Sequence, residues 1–204
     1  MLRTMSNGLA GLAVGVLLAT TSLAQDAPKE GADTTADASD RMTISLTGGD
    51  VVVQLRPDLA PKHVERIKTL ANDGKYDGVA FHRVIEGFMA QTGDVQHGGP
   101  DGQLALAGTG GSDLPDLPAE FSQTASFDRG TVGMARSQSP NSANSQFFIM
   151  FQPAPHLNGQ YTIVGEVVEG MENIDKIKRG DGPNGSVVGE PDRMTKVTVG
   201  APQG

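Results

Sequence analysis

Phe81-His82-Arg83-Val84-Ile85-Glu86-Gly87-Phe88-Met89-Ala90-Gln91-Thr92-Gly93-Asp94 is the stretch from which the rest of the chain is read. One guanidinium, Arg83, stands among Phe81, Val84, Ile85, Phe88 and Met89, with one amide, Gln91, close by. A group with five fixed donors and a pKa above ~12 is unfavourable in apolar surroundings. Unless an acid neutralises it, such an arginine suits a groove offering hydrogen bonds to a neutral, partly apolar ligand. The alternative is an amphipathic strand whose arginine reaches water along its own aliphatic stem. This segment by itself leaves both readings open.

Upstream, Met42, Ile44 and Leu46 alternate with polar residues, Gly48-Gly49-Asp50 reads as a turn, and Val51, Val53 and Leu55 resume the alternation. That is a β-hairpin. Pro57 to Pro61 leads into a helix with Pro61 at its first position. Val64, Ile67, Leu70 and Ala71 form its apolar stripe, and it should stop near Gly74. The quoted stretch itself holds two short strands, around 80–86 and 88–93. Residues 97–119 are a Gly/Pro-rich excursion with little periodicity, and Gly108-Thr109-Gly110-Gly111 reads as a flexible loop. Val132 to Ala135, Gln146 to Met150, Tyr161 to Val167 and Arg193 to Val199 read as strands, with a second short helix marked by Met171, Ile174 and Ile177. Some eight strands and two helices in ~165 residues, without βαβ alternation, predict a closed or nearly closed antiparallel barrel.

The chain has 204 residues, enough for one domain with appendages. Aromatic residues make up only 4%, so the core must be largely aliphatic. With 27 Gly and 12 Pro, the composition favours a β-rich, loop-rich fold over a bundle. A net charge of −8 without any Lys/Arg-dense run argues against nucleic acid and against anionic membrane surfaces. The absence of cysteine excludes disulfides, thiolate metal sites and a Cys nucleophile.

Residues 1–24 read as a cleaved signal peptide. Arg3 supplies the positive end, Gly8 to Leu18 the apolar run, and Ser22-Leu23-Ala24 the small residues before a cut at Gln25. The run is short of the ~20 residues of a membrane span, so no membrane attachment is expected after cleavage. The product is expected to be exported, to the periplasm in a Gram-negative cell and otherwise secreted. Residues 25–40 contain no large apolar side chain and read as a flexible acidic linker. Residues 41–200 form the folded domain.

Two further segments complete the pattern. Gly133 to Ile149 is a turn-rich loop of short polar residues entering a strand that begins Ser145-Gln146-Phe147-Phe148-Ile149. His156-Leu157-Asn158-Gly159-Gln160-Tyr161 places Leu157 and Tyr161 on either side of an Asn-Gly turn. Together the three segments resemble the signature regions of the cyclophilin-type peptidyl-prolyl cis-trans isomerases, most closely the short, signal-bearing bacterial branch. The likeness runs from about Met42 to Val199. It implies a mainly β fold, an eight-stranded closed antiparallel barrel capped by two α-helices, with the active groove on the outside.

The same resemblance implies that Arg83 is catalytic. Phe88, Met89, Phe148 and Leu157 would hold the proline ring, Gln91 and the backbone around Ala135 and Arg136 would hold the peptide, and Gln146 and Tyr161 would stand at the rim. The chemistry agrees. An X-Pro bond resists rotation through amide resonance, and its isomerisation takes tens to hundreds of seconds uncatalysed. In the twisted state the proline nitrogen becomes pyramidal and accepts a hydrogen bond, which a fixed cationic donor can supply. No nucleophile, cofactor or metal is required. The expected partners are proline-containing segments of unfolded or folding proteins, and the domain is expected to act as a monomer. The rival reading is a proline-peptide-binding module or holdase chaperone using the same groove, which could dispense with the arginine.

Three positions depart from the best-known pattern of the family: His156 where Trp is frequent, Tyr161 where His is frequent, and Arg136 where Asn is frequent. The first argues against strong binding of cyclosporin-type inhibitors. Elsewhere, His63, His82, His97 and His156 lack metal-ligand spacing. His82 and Phe147 fall on strand faces opposite Arg83 and Phe148 and read as structural. Ser137, Ser139, Ser142 and Ser145 lack a nucleophile elbow and read as turn hydroxyls.

Overall fold

β1 (Arg41–Leu46) and β2 (Gly49–Leu55) pair so that Ile44 faces Val51 and Met42 faces Val53. All four side chains are fully buried. That register needs a two-residue connection, Thr47-Gly48, whereas the sequence pattern had placed the turn at Gly48-Gly49-Asp50. The computed structural model describes residues 38–200. The expected signal peptide, residues 1–24, and most of the expected acidic linker, residues 25–40, lie outside the described residues. The end of the linker, Ala38–Asp40, is a single 3-10 turn whose Asp40 pairs with Lys68.

α1 (Pro61–Asn72) starts at the expected proline and buries Val64, Ile67, Leu70 and Ala71. It ends in a Schellman turn. Gly74 adopts φ +67°, its N–H donates to Ala71 O at 3.0 Å, and Lys75 N–H donates to Leu70 O at 2.8 Å. The first turn is capped from far away. The Glu120 carboxylate accepts from the N–H groups of Lys62 and His63 at 3.2 and 3.1 Å, satisfying orphan donors at the positive end of the helix dipole.

β3 (Arg83–Ile85), β4 (Met89–Thr92), β5 (Thr131–Met134), β6 (Phe147–Met150), β7 (Ile163–Glu169) and β8 (Lys196–Val199) complete the sheet. α2 (Met171–Ile174) is shorter than the apolar marks suggested, although Ile177 just beyond it is also buried. The strand order is β3-β4-β6-β5-β7-β2-β1-β8, antiparallel throughout. The fold is thus mainly β with eight strands and two helices, but the sheet curls into a half-barrel and does not close. The expectation of a closed barrel is corrected here, and the reason is local. The outer edge of the three-residue strand β3 is taken by the segment after α2: Gly180 N–H donates to Val84 O at 2.8 Å and Val187 N–H to His82 O at 3.0 Å. β8 meets no ladder partner there, and only isolated bridges join Arg83 to Ser186 and Ala80 to Arg193.

Strand alternation gives the sheet two apolar faces. Phe147 and Ile149 of β6 join Ala90, Val53, Val164 and the helix stripe in the main core. Phe148 and Met150 of the same strand join Met89, Phe127, Leu157 and Ile163 in a smaller cluster on the opposite face. Partly buried Phe88, Ala135 and Tyr161 pack against this second cluster. Among the described residues no helix is long and apolar enough to cross a membrane.

Candidate active site

Register lays one row of residues across three strand pairs: Arg83 opposite Gln91, Gln91 opposite Phe148, and Phe148 opposite Gly133. Over this row lies a cavity of about 180 Å³. Its floor is Phe148, Met89 and Leu157, all buried. Phe88, Tyr161 and Ala135 form walls, with Arg83, Gln91 and Arg136 supplying the polar edge. Phe148 is fixed by stacking on Phe127 at 5.8 Å between centroids and by an edge contact with Tyr161 at 5.9 Å. At the rim, Phe88 stacks with the exposed ring of His156 at 5.9 Å.

Arg83 is held without being neutralised. Its Nε donates to the carbonyl of Asn184 at 2.9 Å, and Nη1 donates to Gln91 Oε1 at 3.2 Å, with Met89 Sδ at 3.8 Å. Burial pushes its pKa down from the ordinary arginine value, yet a guanidinium stays charged at neutral pH. The bonding continues in one direction: Gln91 Nε2 donates to Gln146 Oε1 at 2.9 Å, and Gln146 Nε2 to Gly110 O at 2.7 Å. This relay fixes both amide orientations.

A second, polar cavity of about 290 Å³ adjoins the first and shares Gln91, Ala135 and Arg136 with it. Gln146, Asn144, Ser137 and Ser142 line it on one side, Gly108, Thr109 and Gly110 on the other. The glycine-rich wall is tied down by the buried carboxylate of Asp94. Oδ1 accepts from the N–H groups of Gln96 and His97 at 3.1 and 2.9 Å, and Oδ2 from those of Gly108 and Gly110 at 2.7 and 2.9 Å. A Cβ on Gly110 would fall 2.6 Å from Asp94 Oδ1, so only glycine lets the backbone come this close. The segment read as a flexible loop is thus a built wall.

Of the ten residues singled out from the sequence, nine line the first cavity: Arg83, Phe88, Met89, Gln91, Ala135, Arg136, Phe148, Leu157 and Tyr161. Gln146 lines the second and joins the first through Gln91. Ser137, Ser139 and Ser142 behave as turn hydroxyls, whereas Ser145 is buried and its Oγ donates to Gly93 O at 2.7 Å. Ser137 Oγ donates to Ser142 Oγ, which donates to Ser139 O, both at 2.7 Å. His82 is buried behind the site, and neither ring nitrogen has a hydrogen-bond partner. Burial lowers its pKa and keeps it neutral. Among the described residues no three His, Asp or Glu side chains come together as a metal site.

Two contributors, Asn184 and Arg66, escaped the sequence reading, and for Arg136, which the sequence marks as a departure from the family pattern, the contact of its side chain was not foreseen. Asn184, which holds Arg83 Nε, lies 101 residues away and acts through its backbone, so its side chain carries no signal. The Arg136 guanidinium, as opposed to its backbone, covers the Tyr161 ring at 4.4 Å. Arg66 reaches from α1 to donate to Asn144 O at 3.3 Å and Pro115 O at 2.7 Å. An arginine on the buried side of a helix, with no acid three or four residues away to pair with it, was the available clue.

Residues 41–199 match the family described as cyclophilin type peptidyl-prolyl cis-trans isomerase/CLD. The chain is 60% identical over 168 residues to a "Probable peptidyl-prolyl cis-trans isomerase" of Brucella suis biovar 1 (strain 1330), covering 81% of this chain and 85% of that one. Among solved structures it resembles a cyclophilin type peptidyl-prolyl cis-trans isomerase of Cryptosporidium parvum, crystallised in the presence of the dipeptide Ala-Pro. The TM-score is 0.67 at 26% identity, over 78% of this chain and 98% of that one. A cyclophilin of Hirschia baltica gives a TM-score of 0.66 at 25% identity, over 80% of this chain and 74% of that one.

Proposed function

The chain belongs to the cyclophilin-type peptidyl-prolyl cis-trans isomerases, and from that premise we propose that it rotates X-Pro bonds of exported proteins, with Arg83 as the catalytic donor. Isomerase activity follows from the family. The observation that carries the catalytic role is a charged guanidinium at the edge of an apolar cup, held by the neutral acceptors Asn184 O and Gln91 Oε1.

The pyrrolidine ring enters the cup over Phe148, between Met89 and Leu157, with Phe88 and Tyr161 beside it. Apolar contact grips the ring, while the carbonyl before it turns out of the amide plane. Planarity holds the ground state through a barrier of ~18–20 kcal/mol. As the bond twists, the lone pair returns to the proline nitrogen, and a donor from Arg83 meets it there. The planar amide nitrogen accepts poorly, so this bond strengthens at the transition state and lowers the barrier selectively. Two neutral acceptors fix the guanidinium without the charge loss a carboxylate would cause. Gln91, Gln146 and the backbone near Ala135 hold the flanking peptide. No proton, electron or group is transferred.

The substrates are proline-containing segments of folding proteins, which is supported by the Cryptosporidium relative crystallised with Ala-Pro. Export, and with it the secreted or periplasmic branch, is supported by the signal-like residues 1–24. A mature N-terminus at Gln25, found by mass spectrometry of protein from its own cell, is the expected result. An intact Met1 terminus would sink export. For the catalysis, Arg83→Ala should lower kcat for an Ala-Pro peptide by about 10²–10³, the usual effect of losing one preorganised donor. Peptide affinity should fall far less, and circular dichroism should be unchanged. Full activity in that variant would remove Arg83 from the mechanism.

A further inference from the structure

Five of the arginines among the described residues, Arg41, Arg56, Arg129, Arg179 and Arg193, have a carboxylate in ion-pairing reach. Arg66, Arg83 and Arg136 have none, and all three converge on the two joined cavities. Arg83 and Arg136 line them, while Arg66, buried, donates to the carbonyl of Asn144 in the wall of the polar one. No acidic side chain lines either cavity. The buried Asp94 has both oxygens occupied by backbone N–H groups, and the exposed Asp116, which accepts from Asn144 Nδ2 at 3.0 Å, is not part of the lining. A chain of net charge −8 therefore gathers its three unpaired arginines at one groove, while Lys62, Lys75, Lys176 and Lys178, also without a carboxylate in ion-pairing reach, line neither cavity.

Arg136 stands where the cavities meet. Its face covers the Tyr161 ring, Nε and Nη2 donate to Gln160 O at 3.3 and 2.9 Å, and Nη1 donates to Ser137 O and Gln138 O at 2.9 and 3.3 Å. Carbonyls fix the fork but leave a whole positive charge uncompensated. The side chain is already ordered, so a ligand carboxylate would meet a preorganised cation and lose little rotamer freedom. An extended peptide advances ~3.3–3.6 Å per residue, so a side chain in the polar cavity lies within a few residues of a proline in the cup.

We infer that Arg136 is a specificity-determining residue that selects substrate segments carrying Asp or Glu within three residues of the proline, the carboxylate seated in the polar cavity. The inference rests on the isomerase reading of the groove. It makes this acidic protein a receptor for acidic proline segments, which its overall charge would otherwise repel.

The test uses pairs of Ala-Pro peptides differing only in Glu against Gln, placed in turn at the three positions on each side of the proline. At low salt the Glu peptide should exceed its Gln twin in kcat/KM by about fivefold or more at one position, with the effect in KM. The ratio should fall towards one near 1 M salt, where the screening length is about 3 Å. It should also fall to about one in Arg136→Gln and survive in part in Arg136→Lys; because each ratio is internal to one variant, any shared loss from disturbing Tyr161 cancels. A wild-type ratio of one at every position overturns the inference, and so does an unchanged ratio in Arg136→Gln. Should the wild type isomerise none of the peptides, the isomerase reading fails instead, and calorimetric affinities for the same twins still decide whether Arg136 selects carboxylates.

Discussion

Arg83 and Gln91 face each other across the β3–β4 ladder, and Arg83 Nη1 donates to Gln91 Oε1 at 3.2 Å. The same amide passes a donor on to Gln146, so the orientation of the guanidinium and the placement of the two amides are set together. An amide at position 91 holds the cation without discharging it. Gln91→Glu keeps the size and brings a carboxylate to the guanidinium, while leaving Gln146 Oε1 without its donor. We expect kcat to fall about tenfold or more, through lost charge at the donor and lost order in the relay. Lowering the pH enough to protonate the new carboxylate should return part of the rate. Steady-state kinetics on the Ala-Pro peptide across pH decide it, and a Gln91→Glu enzyme as fast as wild type would contradict the role given to the neutral acceptor.

Much of this was legible because it is written in short-range pattern. Alternation places Arg83 on one face of β3, and the opposite faces of Phe147 and Phe148 follow from the same period of two. Phe147 is fully buried against Tyr76, and Phe148 floors the cup. What the pattern could not carry is contact between distant backbones. The open edge of β3 is filled by Gly180 and Val187, and no hydrophobic periodicity announces a loop that satisfies a strand edge. The wall at Gly108–Gly110 is set by Asp94, fourteen and sixteen residues earlier, through four N–H groups that every residue except proline owns.

Gly133 decides how the floor of the cup sits. A Cβ there would lie 2.6 Å from Phe127 Cε1 and 2.6 Å from Phe148 Cζ, two buried rings already stacked on each other. Phe127 is packed within the buried cluster and Phe148 can yield only into the cup that it floors, so Gly133→Ala should cost about 1–3 kcal/mol of stability by overpacking. It should also raise KM, because Phe148 must move. Denaturant titration and peptide kinetics measure both. Adding Phe127→Val should restore part of each loss; a double variant no better than Gly133→Ala would show that the clash is not the cause.

Asn184 positions Arg83 through its carbonyl and does so from the left-handed region, at φ 57° and ψ 23°. It is the one residue other than glycine with positive φ among the described residues. Asparagine tolerates that conformation, and a β-branched side chain does not. Asn184→Val should therefore shift the carbonyl away from Nε and reduce kcat about threefold or more relative to Asn184→Gly, which keeps the backbone free to adopt it. Equal rates in the two variants would mean that this carbonyl does not position the guanidinium.

His63 and His82 link folding to pH. His63 is fully buried, donates from Nδ1 to Glu120 Oε2 at 2.6 Å, and leaves Nε2 without a partner. Burial lowers its pKa, aided by the nearby charge of Arg66, and outweighs the opposing pull of Glu120. The contact is thus a neutral imidazole N–H on a carboxylate. His82 is likewise lowered, chiefly by burial, with Asp94 pulling the other way and Arg83 adding to the fall. A histidine whose folded pKa lies below its unfolded value, ~6.5, binds fewer protons when folded. Stability from both groups is then complete above ~6.5 and is lost as pH falls through ~6.5 towards the folded values, with a limiting slope of about 1.4 kcal/mol per pH unit for each. Asp58 and Asp175, held below the usual carboxylate range by Arg56 and Arg129, lose their contribution only in a much more acidic window. The melting temperature should therefore decline between pH 7 and pH 5. His63→Asn, which keeps a donor near the Nδ1 position but cannot be protonated, should flatten that decline. A melting temperature constant over this range would contradict the neutral state of both rings, and a decline of undiminished steepness in His63→Asn would assign it to His82 alone.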